Sequence, residues 1–240
     1  VLVKDRFIVL NSVLNGIIIC DTNGKIIQHI NHKKGLQNNT VLTSFIDKSK
    51  NIWLGLDNGI AFVNDNSPFT YFGFSYDIST VYASVVHKGN LYVATNQGVF
   101  YHSWNIPFQE RNFSLVEGTT GQTWNIQSID GQLLCANNNG ALLIEENRTV
   151  KILDSNGYFS FKKIPNDPNH IVGANYNGFA IFEKNSSGWK FLNQISGFDK
   201  PSNSFEIDAS YLWLKKDGLI YQMEISKDLT KFNSIKTHKN

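Results

Sequence analysis

One dipeptide recurs along this chain at a nearly constant interval, and it limits what the chain can become. An Asn, Gln or Asp followed by Gly stands between two apolar runs six times, with the glycines at Gly16, Gly59, Gly98, Gly140, Gly178 and Gly218. The intervals are 43, 39, 42, 38 and 40 residues. The residues ahead of them are Asn15, Asn58, Gln97, Asn139, Asn177 and Asp217. Asn-Gly and Asp-Gly supply the positive φ angles of tight hairpin turns, so each copy is expected to mark a strand–turn–strand. Four residues before the glycine, the first five copies carry Ser12, Gly55, Ala94, Ala136 and Ala174. A strand position kept that small predicts close approach of a neighbouring backbone. The sixth copy has Leu214 there and fits with a turn one residue shorter.

Each copy parses into four short strands. The first gives VLVKD, FIVLN, IIICD and KIIQHI; the second VLTSFID, IWLGL, IAFVN and FTYFGF; the fourth TWNIQSI, LLCAN, ALLIEE and TVKIL. Strands of about five residues at a period of about 40 are the pattern of β-propeller blades. No stretch carries a sustained 3.6-residue apolar period, so helix is expected to be nearly absent. The expected fold is all-β: a single β-propeller domain over residues 1–240 with six four-stranded blades, near 1–34, 35–75, 76–118, 119–154, 155–198 and 199–240. Neither end carries an orphan strand, which leaves a closed ring of six or part of a larger propeller array. The capping that water-exposed terminal blades require favours the array.

Composition narrows the function. At 240 residues the chain can bury a sizeable core, and 13% aromatic with 18% charged residues marks a folded globular chain. The net charge of +2 comes mostly from scattered lysines, with arginine only at Arg6, Arg111 and Arg148. Without a clustered basic stripe, no nucleic acid is expected on this segment. Cys20 and Cys135 sit inside apolar runs 115 positions apart and read as small buried hydrophobes. The opening VLVKD reads as strand, not signal peptide, so any export signal is expected outside this segment. No apolar run approaches the roughly 18–20 residues of a membrane helix.

The stretch GLQNNTVLTSFIDKSKNIWLGLDNGIAFVN, residues 35–64, resembles the two-component-regulator propeller repeat. That repeat runs roughly G-L-x-N-N-x-V, then a D-x-x-G-N-hydrophobic-W turn, then G-hydrophobic-x-x-aromatic. Beyond it, SPFTYF, TVYAS, LYVATNQGVFY and GTTGQTW are similar to the sensor region of triple-tyrosine-motif regulators of Bacteroidetes type. The resemblance spans most of the chain and is strongest over residues 35–130; the fifth and sixth copies match by spacing more than by motif. It implies an extracytoplasmic, periplasmic sensor segment of an inner-membrane transcriptional or two-component regulator. The membrane helix and the helix-turn-helix or kinase output would lie in parts of the chain outside this segment. It also implies signalling through the way two chains sit together, which admits a homodimer. One departure stands out: Lys50-Asn51 replaces the usual Gly-Asn.

Catalytic chemistry finds little footing. Three dispersed arginines do not gather round a carboxylate, and DKSKNIW, residues 47–53, resembles a degraded Asp-box, a structural turn. A glycosidase needs two carboxylates facing each other across about 5–10 Å. Asp130, Glu145, Glu146 and Asp208 instead fall in strand-end turns. His29 and His32 form an H-x-x-H pair without a third ligand nearby, and His87, His102 and His170 lie in different copies. No G-x-S-x-G elbow is present. The expectation is no enzyme, no metal and no cofactor. A propeller glycoside hydrolase or lyase is the alternative that turnover of oligosaccharides would reveal.

If the first strand of each blade lines a central channel, the loops entering it collect Asn38 and Asn39, Tyr82, Gln122 and Trp124, Phe159, and Asn203 with Phe205. Aromatic rings stack on sugar C–H faces and amides serve hydroxyls as donor and acceptor, so a small-molecule or oligosaccharide ligand is expected there. The plain alternative for Tyr82, Trp124 and Phe159 is packing between blades. A third function class is an interaction or dimerisation scaffold presenting Tyr71, Phe72, Phe74, Tyr76 and Trp104.

Overall fold

The computed structural model describes residues 1–64, 76–104, 113–208 and 211–239. It forms two compact units, Val1–Asp77 and Ile78–Asn240. The outer strand expected at FTYFGF, the surface residues Tyr71, Phe72 and Phe74, and Arg111 lie outside the described residues. All the described sheets are antiparallel meanders, and the described helix is 3₁₀ only, the turn His32–Lys34 and the single residue Tyr76.

The first unit holds two sheets. One is β1 (Leu2–Lys4), β2 (Phe7–Ser12), β3 (Gly16–Asp21) and β4 (Ile26–Ile30); the other is β5 (Val41–Ile46), β6 (Ile52–Leu56) and β7 (Gly59–Val63). Val9, Ile17, Ile19 and Ile30 of the first sheet bury against Val41, Ile52 and Leu54 of the second. The Asp-box-like turn joins β5 to β6. The Asp47 carboxylate accepts the backbone N–H of Ser49 at 2.8 Å and of Asn51 at 2.9 Å, and the Trp53 indole N–H at 2.9 Å. The indole bond, with the Asn51 N–H behind it, holds that carboxyl below the usual range. Lys50, standing where the repeat usually has Gly, takes the left-handed φ of 65°.

The second unit holds four sheets of four strands. They are β8 (Val81–His87), β9 (Asn90–Thr95), β10 (Val99–Ser103) and β11 (Ser114–Leu115); then β12 (Thr123–Ile129), β13 (Gln132–Asn137), β14 (Gly140–Glu145) and β15 (Arg148–Asp154). The next are β16 (Tyr158–Ile164), β17 (Asp167–Asn175), β18 (Gly178–Asn185) and β19 (Gly188–Gln194). The last are β20 (Phe205–Ile207), β21 (Leu212–Lys216), β22 (Leu219–Ile225) and β23 (Phe232–Lys239). The first strands sit side by side, β8 by β12, β12 by β16 and β16 by β20. This is the stacking of propeller blades, with one sheet per sequence copy.

Side-chain alternation along the second strands explains the stacking. In β13, Leu133 and Cys135 pack toward the preceding sheet with Tyr92, Val99 and Leu142. Leu134 and Ala136 point the other way, to Tyr158, Phe161 and Trp189. In β17, Ile171 joins that same layer, while Val172 and Ala174 face the last sheet with Phe179, Leu214 and Met223. A strand buried on both faces reads as a continuous apolar run, and each fully buried Leu, Ile or Phe contributes about 1.5–3 kcal/mol. Cys20 and Cys135 are buried free thiols.

Two expectations about the hairpins change in detail. Every recurring glycine has positive φ, but of the residues before them only Asp217 does, at 53°. In the sixth hairpin Lys216 pairs with Leu219, so Asp217-Gly218 is itself a two-residue turn. In copies such as Asn175 paired with Gly178, the glycine instead follows the two turn residues and opens the third strand. At Gly55 the small strand position has a different cause from a passing backbone: a Cβ there would meet the Thr43 side chain at 2.6 Å. The close backbone comes at the glycines. A Cβ on Gly140 would lie 2.4 Å from the Asp154 carbonyl oxygen.

The chain leaving one sheet also binds the last strand of the next. The Glu117 N–H donates to the Asn147 carbonyl at 3.2 Å, and the Thr149 N–H to the Glu117 carbonyl at 2.8 Å, a parallel bridge. Ser196 repeats the arrangement with Thr230 at 2.9 Å and Phe232 at 3.0 Å.

Candidate functional site

A β-bulge in the first strand builds the site. In β8, Val81 pairs with Thr95 and Ala83 with Ala94, leaving Tyr82 without a partner. In β12, Thr123 pairs with Asn137 and Asn125 with Ala136, which leaves Trp124; in β16 the same slip leaves Phe159. Leu42 is the equivalent residue of β5 in the first unit. An extra residue on one strand breaks the alternation locally and re-aims its side chain. In β12, Thr123 and Ile126 go into the protein, while Tyr82 is 43% exposed and Trp124 and Phe159 are half-buried.

The three bulge residues meet in a line across three sheets. Ring centroids are 5.2 Å apart from Tyr82 to Trp124 and 5.6 Å from Trp124 to Phe159, tilted by 56° and 48°. Tyr176, in the turn between β17 and β18, extends the line at 4.7 Å from Phe159. The result is a ridge of four tilted rings. The pairwise contacts give it stiffness, each such aromatic pair contributing about 0.5–1.5 kcal/mol beyond burial.

A polar node sits on the ridge. The Trp124 indole N–H is 3.1 Å from the Asn138 Oδ1 and 3.1 Å from the Tyr176 hydroxyl oxygen, and the Tyr176 hydroxyl donates to the same Asn138 Oδ1. Asn138 is exposed in the turn between β13 and β14, anchored by its N–H to the Gln122 carbonyl at 2.8 Å. Tyr176 is anchored alike, by its N–H to the Gly157 carbonyl at 3.1 Å. Below them the buried Asn137 and Asn175 fix the two turns, their Oδ1 atoms accepting the N–H of Asn139 at 2.8 Å and of Asn177 at 2.9 Å. Gln122 Nε2 is buried without a hydrogen-bond partner among the described residues.

The structure thus brings Tyr82, Trp124, Phe159 and the Gln122 backbone together. It does not do so for Asn203 and Phe205 of the same unit. Asn38 and Asn39, in the first unit, spend their side-chain oxygens on local backbone, accepting from Thr40 at 2.9 Å and His32 at 2.6 Å. Phe205 is buried, 5.2 Å from the Phe179 ring, and pairs with Leu214 in a strand without a bulge. It occupies the register of Phe161, not that of Phe159, so its side chain points into the core. Asn203 is exposed, outside any strand. Tyr176 and Asn138 were not among the sequence candidates. Their signal was the repeat itself: both stand two residues before the hairpin glycine.

The titratable groups lie elsewhere. At the opposite end of β12, Asp130 pairs with Lys163 and with Lys184 at 2.8 Å, and these lysines hold its carboxyl below the usual range. Asp208 accepts the Tyr211 N–H at 2.7 Å and the Trp213 indole N–H at 2.8 Å, a second turn of the Asp47 type. His87 Nδ1 lies 3.0 Å from Ser128 Oγ, its pKa lowered by burial and by Lys88. Among the described residues no carboxylate hydrogen-bonds that imidazole, so a nucleophile–base–orienter chain is incomplete. Among the described residues no group of three or more His, Cys, Asp or Glu could hold a metal ion, and no helix is long and apolar enough to cross a membrane.

No protein-family model and no curated protein sequence matches the chain. Solved structures do. The chain is similar to the extracellular domain of BT3049 from B. thetaiotaomicron, a proposed hybrid two component system, with TM-score 0.66 and 17% identity over 97% of this chain and 33% of that one. It is similar to the extracellular domain of BT4673 from the same organism at TM-score 0.53 and 17% identity, over 97% and 36% of the two chains. Hydrazine synthase from Kuenenia stuttgartiensis matches at TM-score 0.50 and 12% identity, over 74% and 53%. The fold is therefore the one the sequence resemblance implied, and the chain spans about a third of the length of the two extracellular domains.

Proposed function

We propose that this chain is a ligand-sensing segment, not an enzyme, and that the ridge of Tyr82, Trp124, Phe159 and Tyr176 is where it binds a carbohydrate. The ridge itself carries the reading: three consecutive blades each use a bulge to turn an aromatic ring outward, where ordinary strand alternation would have left it packed. Half-exposed rings beside an amide suit the apolar C–H faces and the oxygens of a glycan. Support for an extracytoplasmic sensor of a membrane-spanning regulator comes from the fold shared with the two B. thetaiotaomicron extracellular domains. In that setting the occupied ridge would alter how two chains associate and so pass the signal to an output domain.

Thermal-shift screening of the 240-residue chain against plant, algal and host oligosaccharides, with chromatography of the recovered sugar, tests this reading. Ligand that binds only the native state raises the midpoint by mass action. A stabilising sugar recovered intact is the expected result. A cleaved sugar would make the protein a hydrolase or lyase.

A further inference from the structure

The side-chain polar atoms of Trp124, Asn138 and Tyr176 hydrogen-bond to one another, except for the Asn138 amide nitrogen. Asn138 Oδ1 accepts from both the Trp124 indole and the Tyr176 hydroxyl, and the Tyr176 oxygen in turn faces the same indole N–H. Rotating the Asn138 amide by a half-turn would set an N–H group against the Trp124 indole N–H, which can only donate, so that indole fixes which end faces outward. The Asn138 Nδ2 makes no hydrogen bond among the described residues and lies on an exposed side chain. The node's side chains therefore present two amide hydrogens outward, while the oxygens of Asn138 and Tyr176 already accept from the indole N–H.

We propose, resting on the reading of the ridge as a carbohydrate site, that Asn138 reads the acetamido group of an N-acetylated sugar, with Trp124 and Tyr176 as the residues that position it. The outward pair of donors matches a carbonyl oxygen, which accepts and brings no proton of its own. A hydroxyl placed there would still need an acceptor for its proton. The acetamido methyl is apolar and suits the ring edges next to the node. A carboxylate would also accept, but no hydrogen bond, ion pair or cation–π contact among the described residues brings Lys or Arg to these rings. A charge leaving water without a counter-charge is costly, so the neutral acceptor is the better match.

Chitotetraose and cellotetraose are the probes, since they share a β-1,4-glucan backbone and differ in the 2-acetamido against the 2-hydroxyl group. Titration calorimetry on the 240-residue chain is expected to show chitotetraose binding about tenfold more tightly. Asn138→Asp keeps an oxygen for Trp124 and Tyr176 and removes both donors; it should erase that preference with an unchanged melting midpoint. Tyr176→Phe, which leaves the Trp124 indole as the amide's one anchor, should weaken the preference and leave cellotetraose affinity alone. Equal affinities in the wild type, an unaltered preference in Asn138→Asp, or no binding of either sugar would each overturn the assignment. Binding of some other sugar that is lost in Trp124→Ala would, in that event, leave the ridge itself standing.

Discussion

The Phe198 carbonyl passes over Gly178 so closely that a Cβ on the glycine would lie 2.2 Å from its oxygen. Gly178 also has a φ of 110°, so two separate demands fall on one residue. Gly178→Ala should cost about 2–4 kcal/mol, as overpacking and backbone strain combine. Gly218 makes the useful contrast, with a φ of 74° and nothing within 4 Å of its added Cβ. There the alanine should cost only about 1 kcal/mol, from the left-handed backbone alone. Denaturant unfolding of both variants checks the difference.

Alanine at Tyr82 and Trp124 together should abolish sugar-induced stabilisation while the chain stays folded. Neither ring is in the fully buried core, so truncation removes the ridge and not a packing layer. The check is circular dichroism beside calorimetric titration; unchanged folding with unchanged affinity would remove the ridge from the site.

Asp130, between Lys163 and Lys184, ties the fourth sheet to the fifth. Because its folded pKa lies below the ordinary aspartate value of 3.8, its contribution is present above that value and lost as pH falls through the folded pKa. Thermal midpoints of the wild type and Asp130→Asn should therefore separate above about pH 4 and converge in stronger acid. The pair is near the surface, so raising the salt concentration should narrow the gap.

Burial pushes the Cys135 thiol up to about 12, and no thiolate forms near neutral pH. The native chain should react negligibly with a disulfide reagent at this residue and fully once unfolded in denaturant. Rapid native labelling in a Cys20→Ser background would show that the second strand of the fourth sheet opens.

Much of this was written locally in the chain. A hairpin is made by neighbours in sequence, so the six glycines were enough to place the sheets, and first-strand position put Tyr82, Trp124 and Phe159 among the candidates, with Phe205 beside them. What turns those rings outward is a one-residue slip in pairing, and Val81 through Ala83 reads no differently with or without it. Phe205 shows the cost: without a bulge, the same kind of residue goes into the core. Asn138 and Tyr176 escaped notice because a turn residue is explained well enough by its turn. Their meeting depends on neighbouring sheets bringing together residues that the sequence keeps a full repeat apart.

The parallel bridges at Glu117 and Ser196 impose a direction on the molecule. As the chain leaves the ribosome, the third sheet can close its own hydrogen bonds, yet its exit strand stays loose until Arg148 and Thr149 emerge. The third and fifth sheets are thus sealed by their successors, not their predecessors. Truncating the chain from the carboxyl end should unfasten the last complete sheet as well as the one removed, whereas the same cut from the amino end leaves the next sheet's seal untouched.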